Sequence, residues 1–100
     1  MKIQIREGGR GIAVAERSHL EDRLTVTLAR FSARIARVVV RLSSAETAAG
    51  RIETKCRIEV EIRPETLHVD DRDAKLLTAL DRATDRVGRA VARALERHHD

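Results

Sequence analysis

The sequence predicts an α+β two-layer sandwich of order β-α-β-β-β-α, with a four-stranded mixed sheet and both helices on one face. Three observations lead there. Four segments alternate polar and apolar residues with period two, two longer ones repeat apolar residues at steps of three and four, and each strand segment is apolar on one side only. Strands joined through a helix lie parallel with a right-handed crossover, and closely spaced strands pair antiparallel. A sheet with a single apolar face takes both helices on that face.

Lys2-Ile3-Gln4-Ile5-Arg6 alternates until Gly8, Gly9 and Gly11 end it, which is a short half-buried strand. Gly9-Arg10-Gly11 reads as a strand-to-helix loop. From about Ala15 to Ser32, Leu20, Leu24, Leu28 and Phe31 form one face of an amphipathic helix. Its early Glu16, Glu21 and Asp22, and Arg30 and Arg34 at or beyond its end, suit the helix dipole.

Ile35 to Ser43 has strand chemistry, with Val38, Val40 and Leu42 alternating against Arg37, Val39 and Arg41. The small polar stretch Ser44 to Gly50 reads as a loop. The run from Lys55 to Arg63 alternates cleanly until Pro64, which cannot donate to a ladder. After a tight Pro64-Glu65 turn, Thr66 to Asp70 supplies a brief fourth strand with Leu67 and Val69 inward. Asp70 or Asp71 is expected to cap the final helix. The open face of the sheet would carry Lys2, Arg6, Arg37, Arg41, Lys55, Arg57 and Arg63, diluted by Glu59 and Glu61.

The chain of 100 residues is expected to form one domain, residues 1–100, large enough for a modest core. Phe31 is its one aromatic residue, so burial rests on many small Ala, Val, Ile and Leu contacts. Twenty Lys plus Arg against sixteen Asp plus Glu leave a net charge of +4, a mild excess that attracts a polyanion only where the cations cluster. Arginine dominates the basic set, which suits bidentate phosphate contacts and is equally what a GC-rich genome encodes. With Cys56 alone, no intramolecular disulfide or thiolate cluster can form, and its place in an alternating run marks it as a buried small hydrophobe. No apolar stretch approaches the ~18 residues that cross a bilayer, and no apolar signal region opens the chain, so a cytoplasmic location without membrane partners is expected.

The candidate functional feature is a basic ridge on the last helix. Lys75, Arg82, Arg86, Arg89, Arg93 and Arg97 recur opposite an apolar seam of Leu76, Leu80, Ala83, Val87, Val91 and Ala94. At about 100° per residue these cations fall within an arc of roughly 80°, along about 33 Å of helix, and can follow a phosphate backbone. An ordinary solvated face accounts for the same pattern. Arg23, Arg30 and Arg34 share a side of the first helix and could extend the basic surface, or serve only its dipole and solubility.

Signs of catalysis are missing. His19, His68, His98 and His99 form no ligand set, since His98 and His99 are adjacent and point to different sides of a helix. Helix capping explains Asp70, Asp71 and Asp73 better than a Mg²⁺ site does. The serines lack a nucleophile-elbow context, and no glycine-rich loop matches a phosphate cradle. No metal, cofactor or small-molecule substrate is therefore expected, and no enzyme.

The element order, together with the stretch from Ala79 to Arg93, resembles the ribosome hibernation promoting factor and ribosome-associated inhibitor family. That family's helix reads Ala-Ile-Asp, then Asp-Lys or Asp-Arg, then Leu-x-Arg and a further basic residue; the matches are Asp81, Asp85, Arg86, Arg89 and Arg93. Phe31 through Leu42 is similar to the family's aromatic, Arg-Ile and Val-rich second strand. The resemblance implies binding to ribosomal RNA of the small subunit near the decoding centre, and inhibition of idle translation. It carries Arg86, Arg89 and Arg93 over as RNA contacts, with Lys75, Arg82 and Arg97 extending the row. The chain departs from the pattern at Leu77, where an aromatic is common, in a less basic first helix and in its high carboxylate content. It stops at residue 100, before the carboxyl-terminal domain by which long members pair ribosomes. The alternatives are a non-catalytic interaction module forming a weak homodimer, which the mixed Glu and Arg of the third strand favour, or a general double-stranded-RNA-binding domain.

Overall fold

The computed structural model describes residues 1–9 and 11–97. In chain order the elements are β1 (Ile3–Gly8), α1 (Val14–Leu28), a 3-10 segment (Ala29–Arg34), β2 (Arg37–Glu46), β3 (Ile52–Glu61), β4 (Thr66–Asp73) and α2 (Leu76–Arg97). The order and the mixed sheet agree with expectation. β1 runs parallel to β2, while β2 with β3 and β3 with β4 are antiparallel, so spatial order equals chain order. Ile5 faces Val40, Val40 faces Ile58 and Ile58 faces Val69, which brings one apolar row from all four strands onto the helix side.

α1 begins where the Glu16 carboxylate accepts the Ala13 backbone N–H at 2.9 Å. Ala13 offers no side-chain acceptor in return, so this is half of the reciprocal capping arrangement. Leu20, Leu24 and Leu28 are fully buried. The helical register then tightens into the 3-10 segment, which carries Arg30, Phe31 and Arg34 and ends where Ile35 turns extended.

α2 buries Leu76, Leu80, Ala83, Val87, Val91 and Ala94, the whole expected seam, against β3 and β4 on one side and α1 on the other. Each leucine or valine of the seam contributes on the order of 1.5–3 kcal/mol when fully removed from water. The two helices approach closely at Gly88, where a β-carbon would stand 2.6 Å from Thr27 Cγ2. That gap explains a glycine in mid-helix, a position at which it otherwise costs about 1 kcal/mol relative to alanine.

Several boundaries differ from expectation: the α-helix expected to reach Ser32 ends at Leu28, and the strand expected over Lys55 to Arg63 spans Ile52–Glu61. β2 and β3 pair from Arg37↔Glu61 out to Glu46↔Ile52, so Ser44, Ala45 and Glu46 belong to the ladder and the loop starts at Thr47. Small polar residues there follow the register already set by the valines, and Gly50 takes the left-handed turn conformation at φ +79°. β4 also runs on to Asp73, with Cys56↔Asp71 and Thr54↔Asp73 paired. Neither Asp70 nor Asp71 therefore caps α2. Asp73 Oδ2 accepts the Lys75 N–H at 2.8 Å instead. The physical reason is period two: the alternation of Leu67 and Val69 continues through Asp71 and Asp73.

Candidate nucleic-acid interface

The six cations of the ridge do not share one environment. Lys75 precedes the first residue of α2, and the other five lie on the helix. Arg82 and Arg86 lean toward β4, an edge strand with outward carbonyls. Arg82 Nη2 donates to the Arg72 carbonyl at 2.6 Å and to Asp71 Oδ1 at 2.8 Å, and its Nε lies 3.2 Å from the same oxygen. Asp73 adds a contact at 3.5 Å. Arg86 Nη1 donates to the Asp70 carbonyl at 2.5 Å and stands 3.5 Å from Asp71 Oδ2. These two arginines satisfy backbone acceptors two residues apart that would otherwise offer a template for strand addition. The Arg82 hydrogen bond is the main cause holding the Asp71 carboxyl below its ordinary range, and burial opposes it. In turn Asp71 raises Arg82.

Farther along, Arg97 Nη2 is 3.6 Å from Glu65. Arg89 and Arg93, one turn apart on the exposed face, have no carboxylate partner among the described residues. Lys75 donates only its backbone N–H. The ridge thus divides into Arg82 and Arg86, neutralised by β4, Arg97 beside Glu65, and the side chains of Lys75, Arg89 and Arg93, with no carboxylate partner among the described residues.

On the α1 side the expected trio divides too. Arg23 Nη2 bonds Asp85 Oδ1 at 2.7 Å and its Nε lies 3.4 Å from Asp81, an engagement that ties the two helices and raises the guanidinium pKa, chiefly through Asp85. His19 Nε2 meets the same Asp81 at 2.8 Å, a second tie between the two helices. Asp81 and Asp85 therefore act as interhelical acceptors. Arg30 lies over the Phe31 ring, 4.5 Å from its centre, and Arg34 is exposed with no acidic partner among the described residues.

Arg30, Phe31 and Arg34 form one wall of an open groove of about 410 Å³ whose other wall is Ala92, Leu95 and Glu96 of α2. A neighbouring depression joins Arg30 and Phe31 to Gly88 and Arg89. Tertiary structure thereby brings Arg30 and Arg89, 59 positions apart, onto a common rim. Arg30 and Arg89 on this rim can hold a phosphate, since the Asp85 carboxylate that also lines it is held by Arg23, and the Arg30 guanidinium plane lying over Phe31 can stack on a base.

Other expected features separate. Asp70 and Asp71 point to opposite faces of β4, since Asp70 contacts Arg57 on the open face at 3.5 Å while Asp71 serves α2. No group of three or more metal-ligating side chains occurs among the described residues. Arg10, His98 and His99 lie outside the described residues. Cys56 is buried at 0% exposure, and burial pushes its thiol up to about 12. Among the described residues no helix is long and apolar enough to cross a membrane.

Sequence reading located the cations but missed their neutralisation. The available signal was the inward parity of Asp71 and Asp73, obscured by their resemblance to a capping cluster.

The family model described as sigma 54 modulation protein / S30EA ribosomal protein matches residues 5–99. The protein Y amino-terminal domain of Thermus thermophilus is 28% identical with a TM-score of 0.73, over 93% of this chain and 98% of that one. A ribosomal subunit interface protein from Coxiella burnetii superposes with a TM-score of 0.80 over 96% of this chain and 99% of that one; at 14% identity it shows the shared fold alone. No curated protein matches.

Proposed function

The chain belongs to the sigma 54 modulation protein / S30EA ribosomal protein family, and from that premise we propose that it is a non-enzymatic hibernation factor, a single domain that binds ribosomal RNA of the small subunit and inhibits idle translation. Its mechanism is occupancy: a rigid sandwich seats a basic surface on RNA and excludes other ligands from the same place. The single observation that carries this reading is that Arg89 and Arg93 have no carboxylate partner among the described residues, with Arg89 on a common rim with Arg30 and with Arg34 on the adjoining groove. These four are the proposed primary RNA contacts. Arg82, Arg86 and Arg97 make secondary contacts, because each must share its charge with Asp71, Asp73 or Glu65. Lys75 adds a free ammonium at the far end. Arg23 contributes positioning, since Asp81 and Asp85 already hold it.

Sedimentation of ribosomal subunits with the purified protein through sucrose gradients tests the proposal. The protein is expected with the small subunit, and added duplex RNA of similar length should compete poorly. If about four phosphates are contacted, affinity falls with a log–log salt slope of about −3 to −4. Equal affinity for plain duplexes would instead favour general double-stranded-RNA binding. A discrete dimer in light scattering, with no ribosome association, would favour the homodimer module.

A further inference from the structure

The face of the sheet opposite the helices carries its own basic cluster, and its register is unusual. Arg6 on β1 pairs with Arg41 on β2, which pairs with Arg57 on β3, so three arginines stand directly side by side across three strands. Like charges directly opposite on neighbouring strands are destabilising. In the next row Gly8 faces Ser43 and Ser43 faces Lys55. The result is a depression of about 410 Å³ floored by Gly8 and Ser43 and walled by Arg6, Arg41, Lys55 and Arg57. Glu7, at its margin, is directed to Arg17, 3.5 Å away.

Neutralisation of this row is incomplete. Arg41 Nε bonds Glu59 Oε1 at 2.9 Å, and Arg57 reaches the same oxygen at 3.4 Å and Asp70 at 3.5 Å. Arg6 finds only the neutral Gln4 amide oxygen at 3.3 Å, and Lys55 has no acidic partner among the described residues. Four cations thus share two carboxylates. Gly8 leaves the floor without a side chain, and a β-carbon there would lie 3.1 Å from the Leu42 carbonyl.

We propose that this depression is a second phosphate site, one that takes a phosphodiester of an RNA strand on the layer opposite the helices. An anion seated over Gly8 and Ser43 offsets the repulsion along the Arg6, Arg41, Arg57 row, and the Ser43 hydroxyl supplies a neutral donor. The molecule then holds RNA on both faces of a two-layer sandwich, bridging two strands instead of resting on one. The identity of the strand rests on the ribosomal reading above; the anion site itself rests on the sheet register.

Binding of a 12-nucleotide poly(U) probe by the full chain, followed by fluorescence anisotropy at several salt concentrations, tests this. Arg6→Gln with Lys55→Gln removes two cations that hold no acid among the described residues, and its thermal melt should match the parent. The expected result is a several-fold weaker complex whose log–log salt slope is shallower by about 0.7, the increment for one single-strand phosphate contact. Arg89→Gln with Arg93→Gln should weaken binding separately, and the two pairs should add. An unchanged slope in the sheet variant, with binding lost in the helix variant, overturns the second site and leaves the proposed function standing. Loss in the sheet variant alone supports the second site and removes the helix interface. A parent chain that does not bind the probe overturns this proposal, and subunit sedimentation then judges the proposed function separately. Inorganic phosphate titrated against labelled protein separates the sources. If free phosphate shifts the Gly8 and Ser43 amides while the sheet variant still binds poly(U) normally, the site is for a small phosphate and the diester assignment fails.

Discussion

Arg82 holds Asp71 through two nitrogens, Nη2 at 2.8 Å and Nε at 3.2 Å from Oδ1, across the seam between α2 and edge strand β4. The same guanidinium also covers the Arg72 carbonyl. A residue that looks on a helical wheel like a free phosphate ligand is therefore also a clasp on the sheet edge.

Substitutions along the ridge should accordingly separate into two kinds. Arg89→Gln with Arg93→Gln is expected to abolish co-sedimentation with the small subunit and leave the melting temperature within a degree or so, because surface changes away from buried features are usually nearly neutral. Arg82→Gln should lower the melting temperature by a few degrees and weaken binding less. Parallel melts and gradients on the two variants check this; equal effects on both readouts would refute the division of the ridge.

Acid should act through the same clasp. The Asp71 carboxyl sits below its ordinary 3.8 in the folded state, chiefly because Arg82 hydrogen-bonds it, and Glu59 sits below its ordinary 4.5, chiefly because of Arg41. A depressed carboxyl contributes stability that is fully present above its unfolded value and is lost as pH falls through the folded one. Stability should therefore decline from about pH 4.5 downward, within the range where unfolded carboxyls protonate. In Asp71→Asn the decline should be shallower and neutral-pH stability lower, as urea titrations at a series of pH values would report.

Gly88 and Thr27 make a sign test of the helix contact. Gly88→Ala gains about 1 kcal/mol of helix propensity and loses about 1–3 kcal/mol to overpacking against Thr27 Cγ2. The single variant should thus be neutral or up to about 2 kcal/mol less stable. In a Thr27→Ser background the obstructing methyl is gone, and the same change should stabilise by about 1 kcal/mol. Urea unfolding of the four-member cycle measures the coupling.

Cys56 lies under the sheet with its thiol pushed up to about 12 by burial. Thiolate is the reactive form, so labelling by a disulfide reagent at pH 8 should proceed only through opening of the fold. Its rate should rise steeply with urea and fall no further in the presence of RNA than the binding energy dictates. Rapid labelling in native buffer would contradict the burial.

How much of this was legible in the residues differs by level. Period two in Lys55 to Arg63 and the four-three steps of Leu20, Leu24, Leu28 and Phe31 announce strand and helix, because a strand or helix has only one apolar face to offer a core. The same reasoning reached the ends less well: Ser44 to Glu46 carry no apolar signal, and only their pairing with Ile52 to Thr54 makes them strand.

For the candidate site, the chain alone determined that cations recur at helical spacing opposite a seam, since that spacing is a property of one helix. Which of them remain available was decided only by packing. Asp71 and Asp73 reach Arg82 because β4 continues two residues past the expected cap, and Arg30 nears Arg89 because Gly88 lets two helices touch. Charge availability is a pairwise property of distance in space, and distance in space is what a linear order of residues does not contain.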